Sequence, residues 1–307
     1  MAEPLIHPLP NRLTHLATAE LQWLSHSSTK TGTDMPTPLL RRAIAEAARR
    51  AAIPGNLRFT ERQLYYETCR VLRPRPAPLR RVPYSPPPPV RLPHFTEALL
   101  GLHLPGLLPA ATPAPTTGGP AAEPDLYDYG VPRLLICQDR QIAGMLLANH
   151  VHLEAACPIL AAPDDLPLDP RLRDALAEAG TATVHVLHDA SPTGITLPAK
   201  IRDSLGPVPG VRVTSLGIVP RHAQTLHLVS GRRPGRVPPI GPLPHGLKAA
   251  EVDWLARGRF AEVAAIPPAR LVRAVLRMTR GPRPVRASVW SELRDLRTAG
   301  FMTWPDA

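Results

Sequence analysis

The chain has 307 residues, a length more comfortable as two moderate domains than as one. Lys and Arg outnumber Asp and Glu by 36 to 25, and the resulting formal charge of +11 favours a polyanionic partner. Charge alone does not separate DNA, RNA or an anionic membrane surface, and a solvated arginine surface would account for the same number. Three cysteines, Cys69, Cys137 and Cys157, with no CxxC pair exclude a disulfide scaffold and a structural zinc, and they fit a reducing compartment.

The opening "MAEPLIHPLPNRL" has no charged start followed by an apolar core, and no apolar run approaches the roughly 20 residues of a membrane span. A soluble cytoplasmic protein is expected, nucleoid-associated if the source is bacterial or archaeal. Residues 1–37 read as an N-terminal extension in which "LTHLATAELQWLS" has helical apolar spacing. "TPLLRRAIAEAARRAA" predicts the next helix. "IPGNLRF" is a turn, and "TERQ" has the Thr-x-x-Gln pattern of a capping box, so a further helix should begin at Glu61. Helix, turn and helix over 38–72 predict a helix-turn-helix or winged-helix-like module.

The 41 prolines act as punctuation. "RPRPAPLRRVPYSPPPPVRLP" can be neither helix interior nor central strand, because proline lacks the amide donor and fixes its own dihedral. Residues 73–130 therefore read as a proline-rich linker, with a short helix at "HFTEALLGL".

From 131 to 245 strands and helices alternate. "PRLLICQD", "CPILAA", "TVHVLHDA" and "VRVTSLGIV" predict strands, and "RQIAGMLLANHVHLEA", "PRLRDALAEAG" and "TGITLPAKIRDSL" predict the helices between them. This is the pattern of βαβ units around a parallel sheet, which makes the fold class α/β with a helical module in front. Residues 246–307 read as mainly helical and arginine-rich. There, "GPRPVRASVWSELRDLR" predicts an amphipathic helix with Trp290, Leu293 and Leu296, more readily a helix docked on the core than a DNA contact.

In a parallel sheet, ligands bind beyond the carboxyl ends of the strands, where "QD" at 138–139 and "HDASPTG" at 188–194 fall. Asp189 is the better-placed carboxylate for a divalent ion acting on a phosphodiester. It would equally cap the turn into the next helix, with Pro192 and Gly194 shaping the loop. His185 and His188 lack a third ligand, so core or rim roles are expected of them.

Three ordered stretches resemble one family. "RQLYY" resembles the Arg-x-x-Tyr-Tyr-type motif of the topoisomerase VI A subunit and its relative, the meiotic double-strand-break transesterase. "LHDASPTGI" resembles that family's Toprim "DADPxG" loop, and "SLGIVP" its "LGLLP" segment. The similarity spans roughly residues 40 to 230. It implies a winged-helix domain with a nucleophilic tyrosine and a Toprim-like domain with Mg²⁺, acting on duplex DNA as a homodimer with an ATPase partner subunit.

Carried onto this chain, Tyr66 becomes the nucleophile that would form a 5′-phosphotyrosyl link. Arg62, one helical turn before it, becomes the phosphate contact, and Arg58 and Arg62 are the nominated DNA-binding residues. The expected metal ligand is Asp189, with Asp139 as a weak substitute. The family's glutamate position holds Gln138 and its second aspartate position holds Ser191, which removes two charges from the site. Two functions are therefore expected to compete: strand breakage by tyrosine transesterification, and a non-catalytic architectural or partner-binding role on DNA that has lost the metal chemistry.

Overall fold

The computed structural model describes residues 35–73, 82–109, 130–162, 166–233 and 246–280. The expected helices at "LTHLATAELQWLS" and "WSELRDLR" lie outside these residues.

Helix α1 (Thr37–Ala51) buries Leu40, Ala43, Ile44, Ala47, Ala48 and Ala51, one stripe at helical spacing. Helix α2 (Glu61–Leu72) begins where the capping box places it. The Thr60 hydroxyl accepts from the Gln63 amide at 3.1 Å, and the Gln63 side chain accepts from the Thr60 amide at 3.0 Å. Helix α3 (Leu92–Leu99) lies within the proline-rich stretch and packs on both. Arg41 donates to the carbonyls of Ala98 and Leu100, and Phe59 forms a parallel bridge with Leu107.

Four parallel strands follow: β1 (Arg133–Cys137), β2 (Ile159–Ala161), β3 (Ala182–Leu187) and β4 (Val211–Ser215), in the order β2-β1-β3-β4. Between them run α4 (Arg140–Ala148) and α5 (Val151–Ala155), then α6 (Pro170–Glu178), then α7 (Pro192–Leu205). The chain is thus α/β: N-terminal helices, then a parallel sheet with interleaved helices.

Side chains alternate across the sheet. Leu134, Ile136, Val184 and Val186 enter one core with Leu172, Leu176 and Ile201 of α6 and α7. Leu135, Cys137 and Leu187 enter the other, which also holds Ile142 and Met145 of α4, Leu40, Leu64 and Phe95 of the N-terminal helices, and Leu271 and Val275 near the C-terminus. The N-terminal helices and the C-terminal segment therefore share one core with one face of the sheet.

The single helix expected over "RQIAGMLLANHVHLEA" is broken at Asn149 and His150, where His150 takes a left-handed φ of 57°. Asn149 explains the break. Its side chain accepts from the Arg58 amide and donates to the Arg58 carbonyl, each at 2.9 Å, stapling the end of α4 to the turn before α2.

Past the sheet come α8 (Pro220–Thr225), β5 (Gly231–Arg232), α9 (Ala249–Ala256), β6 (Arg259–Phe260), a 3₁₀ turn at Val263–Ala265 and α10 (Pro268–Arg280). β6, which pairs antiparallel with β5, and Ala261, which bridges to Ala190, stand in the 246–307 region read from sequence as mainly helical. Strands of two residues are too short to leave an alternating pattern. Among the described residues, no helix is long and apolar enough to cross a membrane.

Candidate functional site

The strand order reverses between β1 and β3, because the chain leaves β1 for β2 on one side and returns to place β3 on the other. The crevice beyond the carboxyl ends of those two strands is the usual ligand site of such sheets. Gln138 and Asp139 follow β1 there, and His188 and Asp189 follow β3.

Each of these side chains is bonded to the protein itself. The Gln138 side-chain oxygen accepts from the Asp189 amide at 2.9 Å, tying the two strand ends together. Asp139 caps α4, accepting from the Gln141 amide at 2.8 Å, and Ser191 caps α7, accepting from the Gly194 amide at 3.1 Å. One carboxylate oxygen of Asp189 accepts from the Val263 amide at 2.6 Å. His188 is buried, with Nδ1 against the Asp189 carbonyl at 2.9 Å and Nε2 against the Ser215 hydroxyl at 2.7 Å. Gly194 is required here, since a Cβ would fall 2.4 Å from the Asp189 carbonyl oxygen and 2.6 Å from the Gln138 side-chain oxygen.

The α2 helix reaches these strand ends through Arg62 and its partner Glu262, whose charges act on Asp139. Tyr65 and Tyr66 are 4% and 3% exposed, so both rings are packed. The Tyr65 hydroxyl donates to the Val90 carbonyl at 2.8 Å, and its ring meets Phe95 edge-on. Tyr66 shares the Arg62 side of the helix, as the i−4 spacing requires, with its hydroxyl 3.5 Å from an Arg62 terminal nitrogen. The Arg62 guanidinium carbon lies 5.5 Å from the centroid of the Tyr65 ring and 5.3 Å from that of Tyr66.

What holds Arg62 there is Glu262. The guanidinium Nε and one Nη each donate to a different Glu262 oxygen at 2.6 Å, a bidentate pair in which both side chains are only 14% exposed. A second tie runs beside it. Arg70 pairs with Glu67 and donates to the Ala265 carbonyl at 2.7 Å, so α2 is clamped twice onto the 3₁₀ turn.

These neighbours set the titration of the site. Burial pushes the Tyr66 hydroxyl well above an ordinary phenol; Arg62 opposes this, and Glu262 and Tyr65 add to it. Asp139 is pushed up to about 6, chiefly by burial, with the Gln141 amide bond opposing and Glu262 adding.

Distant stretches of sequence are thus connected: Tyr66 to Arg62 and Glu262, the adjacent Val263 to Asp189, and Asp189 to Gln138. Arg58 lies outside this chain of contacts, exposed, with its backbone bonded to Asn149. Glu262 was not singled out from the sequence. It sits 200 residues from its partner, in a segment whose composition signalled only helix.

The side chains present give Mg²⁺ a site with two carboxylates at most. Gln138 and Ser191 supply no charge, and the Asp139 and Asp189 carboxylates already accept backbone amides. Among the described residues, no group of three or more His, Cys, Asp or Glu side chains is placed to hold a metal ion. No protein-family model, curated protein or solved structure matches the chain.

Proposed function

We propose that this protein binds duplex DNA without metal and without cutting it, on a plan related to the topoisomerase VI A subunit. The N-terminal helices stand for the winged helix and the parallel sheet for the Toprim-like domain. The observation that carries the reading is the bidentate Arg62–Glu262 pair. It sits beside the Tyr66 hydroxyl and neutralises the guanidinium that a scissile phosphate would need. The basic charge of +11 supplies the attraction to DNA, and fewer carboxylates at the crevice reduce repulsion of its phosphates. The test compares duplex affinity in Mg²⁺ with affinity in chelator. Equal affinities, apart from the ordinary screening by Mg²⁺, support the reading, and a strict metal requirement contradicts it.

The chain of contacts from Tyr66 through Arg62 and Glu262 to the segment that bonds Asp189 favours a second reading: a transesterase, working as a homodimer under an ATPase partner, whose site opens when Arg62 leaves Glu262. Supercoiled DNA incubated with Mg²⁺ or Mn²⁺ would then yield protein linked covalently to 5′ ends. That adduct would vanish in Tyr66→Phe and persist in Tyr65→Phe. Absence of any adduct rules this reading out and leaves DNA binding untouched.

A further inference from the structure

Helix α10 displays Arg270, Arg273 and Arg277, all exposed and separated by three and four residues, which sets them along one face. The opposite face is anchored. Leu271, Val275 and Thr279 are 1%, 2% and 1% exposed, and the Thr279 hydroxyl donates to the Val275 carbonyl at 2.8 Å. The helix sequence "PARLVRAVLRMTR" contains no acidic residue, and α5, which packs against it, contributes a single one, Glu154.

Some arginines elsewhere on the surface are engaged. On α1, Arg49 and Arg50 both pair with Glu46, and Arg41 is committed to two backbone carbonyls. On α10, the side chains of Arg270 and Arg277 make no hydrogen bond or ion pair to another described residue. Arg273 uses only its Nε, on the Ala269 carbonyl one turn back in its own helix. Three cations without an acidic partner are therefore aligned on one face of a helix that the core holds still.

We propose that this arginine ridge of α10 is a contact surface for the phosphate backbone of duplex DNA. The inference rests on the DNA-binding reading above and says where the duplex lies. Seven residues of helix at about 1.5 Å each span about 10 Å. One strand of a duplex offers a phosphate every ~3.4 Å of axis, so the ridge meets about three phosphates. Guanidinium forks suit phosphate oxygens, and contacts of this kind fix position without reading sequence.

The test uses the full chain carrying Arg270→Gln, Arg273→Gln and Arg277→Gln together, with a control of equal charge loss in Arg173→Gln, Lys200→Gln and Arg202→Gln on α6 and α7. All six positions are exposed, so both variants should keep the wild-type melting midpoint. Duplex affinity is measured against salt. Removing about three phosphate contacts should flatten the log–log slope of the ridge variant by about 2.7, while the control keeps nearly the wild-type slope.

A ridge variant that binds like wild type overturns the ridge and leaves DNA binding standing. A wild type that binds no duplex at low salt overturns both. Met278 is 51% exposed on the same helix, so anionic phosphatidylserine vesicles form a second arm. Loss of vesicle binding with duplex binding intact would also overturn the assignment.

Discussion

Removing Glu262 should damage this protein far more than removing an ordinary surface acid. Both members of its pair with Arg62 are 14% exposed and meet through two 2.6 Å hydrogen bonds. Unit charges ~4 Å apart attract by about 4 kcal/mol at an effective dielectric near 20. Glu262→Gln forfeits that attraction and leaves the guanidinium desolvated beside the two tyrosine rings, a change that typically costs about 3–5 kcal/mol. Gln retains one acceptor, so the lower end, about 3 kcal/mol, is expected. Arg62→Met should cost a similar amount by stranding the carboxylate. The double variant Arg62→Met/Glu262→Met removes both charges and should recover most of the loss, giving a coupling energy of at least about 2 kcal/mol. Urea unfolding at neutral pH, with m checked for constancy, measures all four corners of the cycle. Two single variants within about 1 kcal/mol of wild type and additive in the double would refute the clamp.

Asp139→Asn should flatten the pH dependence of stability. With its pKa raised from 3.8 to about 6 by burial, folded Asp139 keeps a proton that the unfolded chain has released, so stability falls as pH rises through that window. Above it the ionised group costs up to about 3 kcal/mol, which Asn would relieve while still capping α4; urea midpoints at pH 4 and pH 7 measure this. Tyr65→Phe, losing the bond to the Val90 carbonyl and leaving that acceptor to its surroundings, should cost about 1 kcal/mol in the same assay. Gly194→Ala should cost about 2–3 kcal/mol by thermal or urea unfolding, because the new methyl meets the Asp189 carbonyl at 2.4 Å.

Much of the frame was legible in the sequence because its signals are local. The Thr60–Gln63 capping box fixed the start of α2, and the alternation of apolar runs placed all four strands. The i−4 relation also put Tyr66 beside Arg62. What local signals do not carry is the partner across the fold. Asp189 was weighed as a metal ligand or a helix cap, yet it receives the Val263 amide while Ser191 does the capping. Glu262 gave no sign of itself, since a lone acid in a short turn looks the same whether it meets water or a buried arginine. The proline content of 73–130 likewise hid the packing of 82–109, where proline stops helices and central strands without preventing burial of Val90 and Phe95.

The central claim is that the chain holds duplex DNA electrostatically with the Arg62–Glu262 pair intact. The most direct measurement is duplex affinity for the full chain in chelator across a range of salt. The account predicts tight binding at low salt that weakens steeply and linearly in log–log form as salt rises. Absence of binding at the lowest salt, or binding that appears only when Mg²⁺ is restored, would contradict it.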